Sequence, residues 1–474
     1  RKVAIVRSRN DRPRERSMFL PNLSATARKF VLSEVKKEPA FIAIFIVLSI
    51  VAAVLELAGL GLIFPFLLIM VQPDYIQYFP IIETVTKFLG IDRRLEMYLF
   101  LVLLISGLTA AKNVFMGWFT YWQLQTIAHW KTRLSERLMK IYLFSDFSIH
   151  MRKTTSEIVR NVALVTLIYD WFFKSAIQII VNIVMAIGLI ILLFFTLPSA
   201  TVFGTGVLLG TALGVYFGMR KLVEKIGVDS NVLHEQRQRL ICQSIGAIKE
   251  AKILGKEGAF VEKFLKVERT YFEKQSFANF LQSLPYFISE TVVVLSLLVI
   301  VMFETAMAAE RTVAIATLGL LAATMFRLSP QFNKALAGLQ LMNMAKDSME
   351  IISAEIAENE PGLHVPEKNE GRCEGWQLLS FQQVQYSYPS TPDRWAIRDL
   401  NIDIARNEFI GITGPSGSGK STLMMLLLGL LRPTEGRVML DDGELRTPES
   451  VRTWQNGIGY VPQSPYLIDG TLTD

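Results

Sequence analysis

One glycine-rich segment near the end of the chain carries the residue types and spacing best suited to chemistry. It has the pattern GxxxxGKS, in which glycines and small residues precede a lysine and a serine. Glycines let the backbone turn so that successive N–H groups face a phosphate, and the N-terminus of a following helix adds a partial positive charge. The segment therefore predicts a site for nucleotide phosphates. Its residues are Gly414, Pro415, Ser416, Gly417, Ser418, Gly419, Lys420 and Ser421, followed by Thr422.

The two polar residues that end this loop have separate expected roles. Lys420 is long enough to reach the β- and γ-phosphates, and the Ser421 hydroxyl suits Mg²⁺, which takes oxygen ligands. The apolar Phe409–Thr413 predicts a buried strand before the loop, and Thr422–Leu431 predicts a helix after it, which is the setting that such a loop requires. We expect ATP or GTP with Mg²⁺ as the ligand. The alternative is a glycine-rich turn that only joins a strand to a helix.

Short strands are expected on both sides of the loop. Alternating apolar and polar residues predict strands at Gln383–Tyr388 and Asn401–Ile404 before it and at Arg437–Leu440 after it, with a turn at Asp441–Gly443. A polar, Glu-rich segment near Ala354–Gly375 separates these strands from the residues before them. This part of the chain is therefore expected to be an α/β domain.

The rest of the chain is too apolar for one soluble domain. Of the 474 residues, 51% are hydrophobic and 19% charged, and the mean hydropathy is +0.34. The apolar residues lie mostly before residue 330, which indicates a membrane domain followed by a soluble one. The net charge of +6 does not indicate nucleic acid, because basic residues alternate with acidic ones along helical patterns. Cys242 and Cys373 have no CxxC or Cys/His companion, so neither a disulfide nor a zinc site is expected.

Six apolar stretches are long enough to cross a hydrocarbon layer of about 30 Å. They are Phe41–Val71, Met97–Trp122, Trp171–Leu197, Ala200–Met219, Leu284–Phe303 and Thr312–Leu328. A tight turn at Pro198 and Ser199 joins the third and fourth, so these two form a helical hairpin. Long periodic polar segments, Gln123–Asp170 and Arg220–Ser283, follow the second and fourth spans and predict helical extensions beyond the membrane.

The distribution of charge predicts the orientation. Both extensions are basic, whereas the turn after span three is uncharged and Glu304–Arg311 is net acidic. Positive-inside bias therefore places the extensions, both chain ends and the C-terminal domain in the cytoplasm. In the remaining outer segment, Gln72–Glu96, the amphipathic stretch Ile81–Leu89 is either a short helix at the outer interface or an ordered loop.

The start of the chain is basic but has no apolar core. Arg1–Arg16 is therefore neither a secretory signal nor a span, and it is interpreted as a cytoplasmic arm, with Met18 as an alternative start. The expected domains are an N-terminal arm at 1–40, a six-span membrane domain with its helical extensions at 41–345, a linker at 346–375 and a partial nucleotide-binding domain at 376–474.

The residues after the phosphate loop resemble an ATP-binding cassette (ABC) domain. The helix runs into LGLLRPTEG at Leu428–Gly436, and GYVPQ follows at Gly459–Gln463. The resemblance implies that ATP is the ligand and that Tyr388 stacks on its adenine, with Tyr386 as the competing choice. It also implies that Gln463 contributes an oxygen to Mg²⁺.

The chain departs from the family pattern after Gln463. It ends at Asp474 and contains no LSGGQ-type signature, no apolar strand ending in Asp-Glu and no switch histidine in the cassette. The family hydrolyses ATP between two cassettes, so the resemblance implies a homodimer or a heterodimer with a similar half-transporter. We expect this polypeptide alone to bind nucleotide weakly and to lack ATPase activity, and we assign no catalytic residue. The expected fold class is an α-helical six-span membrane domain followed by the N-terminal part of an α/β P-loop domain.

The membrane half resembles the six-helix exporter domain and, within it, the bacterial flippases for lipid-linked oligosaccharides. The shared residues are Glu56 and Pro65 in span one, Pro285 and Glu290 in span five, and Arg327 and Pro330 at the end of span six. An ionised group in hydrocarbon costs about 2.5–3.5 kcal/mol, so Glu56 and Glu290 are expected to face a cavity or a partner. Arg327 suits a pyrophosphate, which it would bind through two parallel hydrogen bonds. Alternatively, Glu290 and Arg327 lie at membrane ends, reach water and serve only folding.

The resemblance also implies two short coupling helices, near Ser145–Arg152 and Gly246–Gly258. Three functions agree with these patterns. The first is ATP-driven export or flipping of an amphipathic, lipid-linked substrate in the bacterial inner membrane, and the second is export of peptides or drugs on the same scaffold. The third, from another class, is a non-hydrolysing nucleotide-binding membrane module or a gene fragment. The expected partners are a second half-transporter, the lipid bilayer and the substrate, with no nucleic acid.

Overall fold

The computed structural model describes residues 23–71, 73–88, 90, 94–196, 198–307, 311–361, 363, 371, 373, 375–463 and 465. These residues form two units. The helical unit consists of the described residues up to Ser135 together with Val159–Ala357. The sheet unit consists of Glu136–Ile158 and the described residues from Glu358 on. Arg1–Arg16, Met18 and most of 362–374 lie outside the described residues.

Long helices dominate the part of the chain before residue 360. In chain order the helices are α1 (Ala25–Lys36), α2 (Pro39–Gly61), α3 (Ile63–Val71), α4 (Pro80–Phe88), α5 (Arg94–Phe144), α6 (Ser148–Arg152), α7 (Thr155–Leu167), α8 (Lys174–Thr196), α9 (Pro198–Gly246), α10 (Ile248–Ile253), α11 (Glu257–Met307), α12 (Arg311–Asn359), α13 (Lys420–Leu427) and α14 (Pro448–Gln455). A 3₁₀-helix spans Pro73–Tyr78, and a π-helical segment, Ile168–Phe173, joins α7 to α8.

Five helical stretches of the described residues are long and apolar enough to cross a membrane. They are Pro39–Met70, Leu95–Phe144, Thr155–Thr196, Thr201–Gly246 and Glu257–Met302. They confirm the first five predicted spans. The predicted sixth, Thr312–Leu328, falls within α12, where the side chains up to residue 318 lie outside the described residues.

The first predicted span is interrupted once, where α2 ends at Gly61 and α3 begins at Ile63. Pro65 has no N–H to donate to the carbonyl of Gly61, and its ring crowds that carbonyl, so the regular helix breaks at this point. Pro285 and Pro330, in contrast, lie inside α11 and α12. The break in span one therefore comes shortly after Glu56, one of the predicted substrate residues.

The third and fourth spans form the predicted hairpin. α8 ends at Thr196 and α9 begins at Pro198, a residue that suits the first turn of a helix because its missing N–H has no intrahelical partner there. Leu189 and Leu193 of α8 are buried in one cluster with Leu208 of α9. Apolar packing therefore holds the two helices side by side.

The long polar connections are helical, as predicted. α5 runs for 51 residues without a break and α9 for 49. Ion pairs join these extensions to other helices of the helical unit: Lys131 to Asp170 at 2.7 Å, Lys274 to Asp229 at 2.8 Å and Lys346 to Glu224 at 2.6 Å. Because these pairs are partly exposed, each contributes little to stability, and they mainly favour one pairing of helices over others.

The segment expected to be a linker begins with helix. α12 continues to Asn359, so residues 346–359 are helical. Met349, Ile352 and Ile356 recur at intervals of three and four residues and are buried. That spacing places the three residues on one face of the helix. The residues between them are polar and rich in Glu, so the apolar face is hard to recognise in the sequence.

The amphipathic stretch predicted at Ile81–Leu89 is a helix rather than a loop in its described part, which ends at Phe88. α4 buries Ile82 and Thr86, whereas Ile81, Val85 and Phe88 are exposed. The exposed three lie four and three residues apart and so share one face. α4 therefore presents an apolar face, as expected for a helix at a membrane interface.

The sheet unit has four antiparallel strands in the order β2-β1-β3-β4. They are β1 (Leu378–Ser387), β2 (Trp395–Ala405), β3 (Glu435–Leu440) and β4 (Gly443–Glu444). They confirm the three predicted strands, and β1, β2 and β3 are each longer than predicted. Leu379, Phe381 and Val384 of β1 are buried in one cluster with Leu426 of α13 and Trp454 of α14. The sheet thus supports the helix that follows the phosphate loop.

Short helices also lie where the coupling helices were expected. In the sheet unit, α6 follows Phe147, which packs with Met151 against the apolar cluster of the sheet. Arg432 Nη2 lies 3.1 Å from Asp146 Oδ1. In the helical unit, α10 precedes Leu254, which is 68% exposed.

The predicted buried strand at Phe409–Thr413 is wrong for the part of the chain that the structure describes. These residues form no strand, and Phe409 is 99% exposed. A strand with apolar residues on both faces is buried only where neighbouring strands and helices cover both faces. Among the described strands, none pairs with this segment.

Candidate functional site

The phosphate loop ends where α13 begins. Gly419 caps this helix with φ of +91°, in the left-handed region that favours glycine. A Cβ atom at this position would lie 2.7 Å from the carbonyl oxygen of Ala396 in β2. Both the backbone angle and the lack of space therefore require glycine, and the close approach fixes the loop against the sheet.

Lys420 folds back over the loop. Its Nζ donates hydrogen bonds to the carbonyl oxygens of Gly414 and Pro415, each at 2.8 Å. The Ser418 N–H also donates to the Pro415 carbonyl, at 3.3 Å. A full positive charge thus lies beside the N-terminus of α13, whose unpaired N–H groups attract anions.

The first turn of α13 carries two hydroxyls in different surroundings. Ser421 is exposed, whereas Thr422 is 5% exposed. Thr422 Oγ1 shares a hydrogen bond of 2.8 Å with Tyr388 Oη. The Thr422 hydroxyl therefore joins α13 to Tyr388, the residue that follows β1. Of the two hydroxyls, the one of Ser421 is exposed.

The two tyrosines at the end of β1 differ in exposure. Their rings meet edge to face with centroids 5.2 Å apart. Tyr386 is 5% exposed within the apolar cluster of the sheet unit, and burial, followed by the neighbouring Tyr388, raises the pKa of its hydroxyl above the ordinary value. Tyr388 keeps part of its surface exposed. Of the two candidates for stacking on a base, Tyr388 is the more accessible.

The C-terminal end of α13 is held by α14, a feature that sequence reasoning missed. Trp454 Nε1 donates to the Leu427 carbonyl at 2.8 Å, and Gln455 Nε2 donates to the Leu428 carbonyl at 3.0 Å. These bonds satisfy carbonyls that have no partner within the helix. A buried tryptophan needs a hydrogen-bond acceptor for its N–H. The position of Trp454 in an amphipathic stretch was the signal from which its burial, and hence such a contact, could have been predicted.

Gln463 lies in an exposed bend after α14. Within the described residues, the structure records no hydrogen bond that joins its side chain to Ser421 or Lys420. Its role at Mg²⁺ therefore stays a prediction.

The loop residues fit a nucleotide phosphate, and Ser421 offers an exposed hydroxyl oxygen for a metal ion. Gly417 and Gly419 both have left-handed φ, and Lys420 and the N-terminus of α13 supply positive charge. In the described part of the chain, no three His, Cys, Asp or Glu side chains gather into a metal site. Mg²⁺ at this loop would have the Ser421 hydroxyl as one ligand beside phosphate and water oxygens, which suits its preference for oxygen ligands.

The helical unit holds a second cluster of charged residues, in which two of the three predicted substrate residues meet. Glu56 of α2 is 6% exposed, and its Oε1 lies 3.5 Å from Nη1 of Arg327 in α12. Its other oxygen, Oε2, accepts a hydrogen bond of 2.7 Å from Nζ of Lys112 in α5. Glu290 is exposed and takes no part in this cluster.

Sequence reasoning missed Lys112. The available signal was an ionisable residue inside the apolar stretch Met97–Trp122, because such residues in spans usually have a partner or a function. Glu56 was expected to face a cavity or a partner, and it does both. Its partner is Lys112, and the cluster lines a cavity of about 50 Å³.

Both halves of the chain match known protein families. Residues 40–328 match the family described as the ABC transporter transmembrane region. Residues 397–473 match the family described as ABC transporter. The first match covers the predicted spans, and the second covers the phosphate loop.

Curated relatives match over shorter segments. ABC multidrug transporter mdr2 of Aspergillus fumigatus is 35% identical over 120 residues, which are 25% of this chain and 15% of that protein. ATP-binding cassette sub-family B member 5 of Mus musculus is 39% identical over 108 residues, which are 23% of this chain and 8% of that protein. The mitochondrial ATP-dependent permease MDL1 of Saccharomyces cerevisiae is 38% identical over 96 residues, which are 20% of this chain and 14% of that protein. The matched segments thus span 15% or less of the length of these relatives.

A solved structure shares the fold. It is described as a bacterial Atm1-family ABC exporter with ATP bound, and the TM-score is 0.63 at 16% sequence identity. The similarity covers 87% of this chain and 70% of that one. It confirms the expected fold class of a helical membrane domain followed by a nucleotide-binding domain.

Proposed function

Because the chain belongs to the ABC transporter family, we propose that it takes part in ATP-driven transport of an amphipathic molecule across a membrane. The observation that carries this proposal is the phosphate loop at the start of α13, on a chain whose described residues include five helices long and apolar enough to span a membrane. ATP, when bound, supplies the free energy for transport. The chain's own residues bind and orient the nucleotide.

In this proposal, four residues contact the nucleotide or its metal ion. Lys420 holds the β- and γ-phosphates, because its ammonium already lies at the loop beside the N-terminus of α13. Ser421 and Gln463 contribute oxygens to Mg²⁺, and Tyr388 stacks on the adenine. The carbonyl bonds of Lys420 are replaced by phosphate contacts, which are stronger because both partners are charged.

We propose a lipid-linked oligosaccharide as the substrate, flipped from one leaflet to the other. Two features support an amphipathic lipid. The cluster of Glu56, Lys112 and Arg327 sets charges within apolar helices, where a polar headgroup needs partners. The apolar face of α4 suits contact with lipid chains.

A peptide or drug exporter on the same scaffold is the second candidate. The similarity to ABC multidrug transporter mdr2, 35% identical over 120 residues, favours it. That similarity covers 25% of this chain, so it bears on a short segment. An amphipathic substrate is common to both candidates.

The two candidates are separated by a transport assay on the full-length protein in phosphatidylcholine vesicles. One set of vesicles contains a fluorescent lipid-linked oligosaccharide, and a membrane-impermeant quencher reports the leaflet that it occupies. We expect Mg²⁺ and ATP to change the quenched fraction, and the Lys420→Ala variant to abolish the change. A second set contains a fluorescent cationic drug. ATP-dependent movement of the drug alone favours the exporter, and movement of neither probe contradicts the proposal.

We further propose that a second half-transporter completes the active protein, either an identical copy or a similar chain. It sits in a bacterial inner membrane with both ends of the chain in the cytoplasm. The basic extensions support this orientation, since Lys and Arg are enriched on the cytoplasmic side. The proposed boundaries are 1–40 for the arm, 41–345 for the membrane domain, 346–375 for the linker and 376–474 for the nucleotide-binding domain.

The orientation can be measured by cysteine labelling in a chain with Cys242 and Cys373 replaced by serine. Thr84→Cys, exposed on α4, is expected to react with an impermeant maleimide on intact cells. Lys140→Cys and Lys256→Cys, both exposed, are expected to react only after permeabilisation. The reversed pattern would place the phosphate loop outside the cell and contradict the proposed use of cytoplasmic ATP.

A further inference from the structure

The helix that precedes the first span, α1, has two unlike faces. Ala27 and Phe30 are buried, with 0% and 6% of their surface exposed. Leu32 and Val35, in contrast, are 58% and 38% exposed although they are apolar. Two residues correspond to about 200° around a helix, so Leu32 lies nearly opposite Phe30. One face of α1 thus packs inside the protein, and the other holds apolar side chains that the described residues leave largely uncovered.

Basic residues surround the exposed apolar pair. Three exposed basic side chains each lie three or four residues from Leu32, so they share its face. They are Arg28, Lys29 and Lys36. Glu34, the only acidic residue in the sequence of α1, forms an ion pair with Lys37 at 2.5 Å. Together with Leu32 and Val35, the three basic residues form the exposed face of α1, which is therefore both positive and apolar.

The place of α1 in the chain brings it to a membrane surface. α2 begins at Pro39, and the stretch Pro39–Met70 is long and apolar enough to cross a membrane. The three residues that lead from Lys36 to Pro39 reach at most about 11 Å. The end of α1 therefore lies within about 11 Å of the start of the first span.

α1 is not a continuation of the span. Glu38 has φ of −131° and ψ of 58°, outside the helical region, because the proline that follows it disfavours helical backbone there. Contacts with other helices hold both ends of α1. The Ser24 N–H donates to Oε1 of Glu350 in α12 at 2.9 Å, and Glu38 Oε1 accepts from Nη2 of Arg133 in α5 at 2.8 Å. The exposed face is thus presented by a helix whose position in the helical unit is fixed.

We propose that the exposed face of α1 binds anionic phospholipids of the leaflet in which α2 begins. Leu32 and Val35 suit the boundary between acyl chains and headgroups, where interfacial helices bury an apolar face. Long basic side chains at that depth keep their charged ends at the lipid phosphates and attract lipids with net negative charge. An acidic protein surface would match the charge as well, but the short distance to the span favours the bilayer. This site goes beyond the proposed transport function, because it needs neither nucleotide nor substrate.

The test measures which lipids lie beside α1 in the full-length protein, held in nanodiscs without nucleotide. All native cysteines are replaced by serine, and Ala25→Cys, at an exposed position, carries the fluorophore NBD. Ala25 lies about 17 Å from Lys36 along the helix axis, so contact with lipid there requires α1 to lie along the membrane. The nanodiscs consist of phosphatidylcholine with a small, equal fraction of a quenching lipid. This lipid is phosphatidylglycerol or phosphatidylcholine with a nitroxide on its acyl chain.

We expect the anionic quencher to associate with α1 at least about tenfold more tightly than the zwitterionic one, because each basic residue at the surface adds to the attraction. Salt at about 1 M, which shortens the Debye length to about 3 Å, is expected to remove most of this preference. The triple variant Arg28→Gln, Lys29→Gln, Lys36→Gln is expected to be quenched equally by both lipids. Leu32→Gln with Val35→Gln is expected to reduce quenching by both, because it removes the apolar contact.

A matched control removes three exposed basic residues from α11. The control variant is Lys263→Gln, Lys266→Gln, Arg269→Gln. These positions lie at least about 20 Å along α11 from Leu284, where the fifth predicted span begins. The control changes the net charge by the same amount as the triple variant of α1, and it is expected to keep the preference for the anionic lipid.

Four results would overturn the proposal. They are equal quenching by the two lipids in the wild type, a preference that survives in the triple variant of α1, a preference that is lost in the α11 control, and fluorescence that neither lipid quenches. In the last case, aqueous iodide identifies what covers the face: protein if iodide does not quench NBD, and water if it does. Because no nucleotide or substrate is present, a failure of ATP-driven transport leaves the lipid result standing.

Discussion

Replacing Lys420 by alanine is expected to lower the affinity for ATP by about a hundredfold. The ammonium lies over the phosphate loop, with hydrogen bonds of 2.8 Å to the Gly414 and Pro415 carbonyls. Two hydrogen bonds between charged groups contribute about 1.5 kcal/mol or more each, and about 1.4 kcal/mol corresponds to a tenfold change in affinity. The measurement is titration of the purified protein with a fluorescent ATP analogue in the presence of Mg²⁺.

Two controls accompany this variant. Arg446→Ala removes an exposed positive charge of the sheet unit outside the loop and is expected to bind ATP like the wild type. Tyr388→Ala is expected to weaken binding by about tenfold, because stacking on a base contributes about 1–3 kcal/mol. If Lys420→Ala binds as tightly as Arg446→Ala, the loop does not hold the phosphates and the proposed function fails.

Replacing Lys112 by methionine is expected to destabilise the helical unit by about 3–5 kcal/mol, because breaking a buried ion pair removes the nearer cation and leaves the buried charge of Glu56 poorly compensated. The partner left behind is Glu56, which is 6% exposed between apolar helices, with Arg327 3.5 Å away as its remaining cation. The measurement is the unfolding transition of the purified protein in nanodiscs, followed by tryptophan fluorescence.

The double variant Lys112→Met with Glu56→Gln is expected to recover most of this loss, because it removes both charges of the pair and leaves similar side-chain volumes. Lys346→Met, which breaks a pair that is 21% and 39% exposed, is expected to cost about 1 kcal/mol or less. A Lys112→Met variant that is no less stable than Lys346→Met would show that water or another cation compensates Glu56.

Features that depend on near neighbours in the chain could be predicted from the sequence. A phosphate loop needs glycines, a lysine and a helix start within a dozen residues, and Gly414–Ser421 supplies them in order. A span needs about 20 consecutive apolar residues, and within the described part of the chain five of the predicted stretches fall in helices long and apolar enough to cross a membrane. The hairpin at Pro198 depends on a single turn, so it was predicted as well.

Features that depend on contacts between distant segments could not be predicted from the sequence. The strand predicted at Phe409–Thr413 has the right composition, but burial requires neighbouring strands, and none of the described strands pairs with it. The helical start of the expected linker depends on Met349, Ile352 and Ile356, each of which is apolar within a polar stretch and is buried only by packing.

The class of the protein, a chain with apolar membrane helices and a loop for nucleotide phosphates, could be read from the sequence because both patterns are local. Which charges meet inside the helical unit, in contrast, depends on how the helices fold together. Lys112 lies 56 positions after Glu56 along the chain, yet its Nζ is 2.7 Å from Glu56 Oε2. An ion in an apolar helix has to find a partner, but which partner it finds depends on how the helices pack. That packing joins Arg327 to the same cavity and leaves Glu290 outside it.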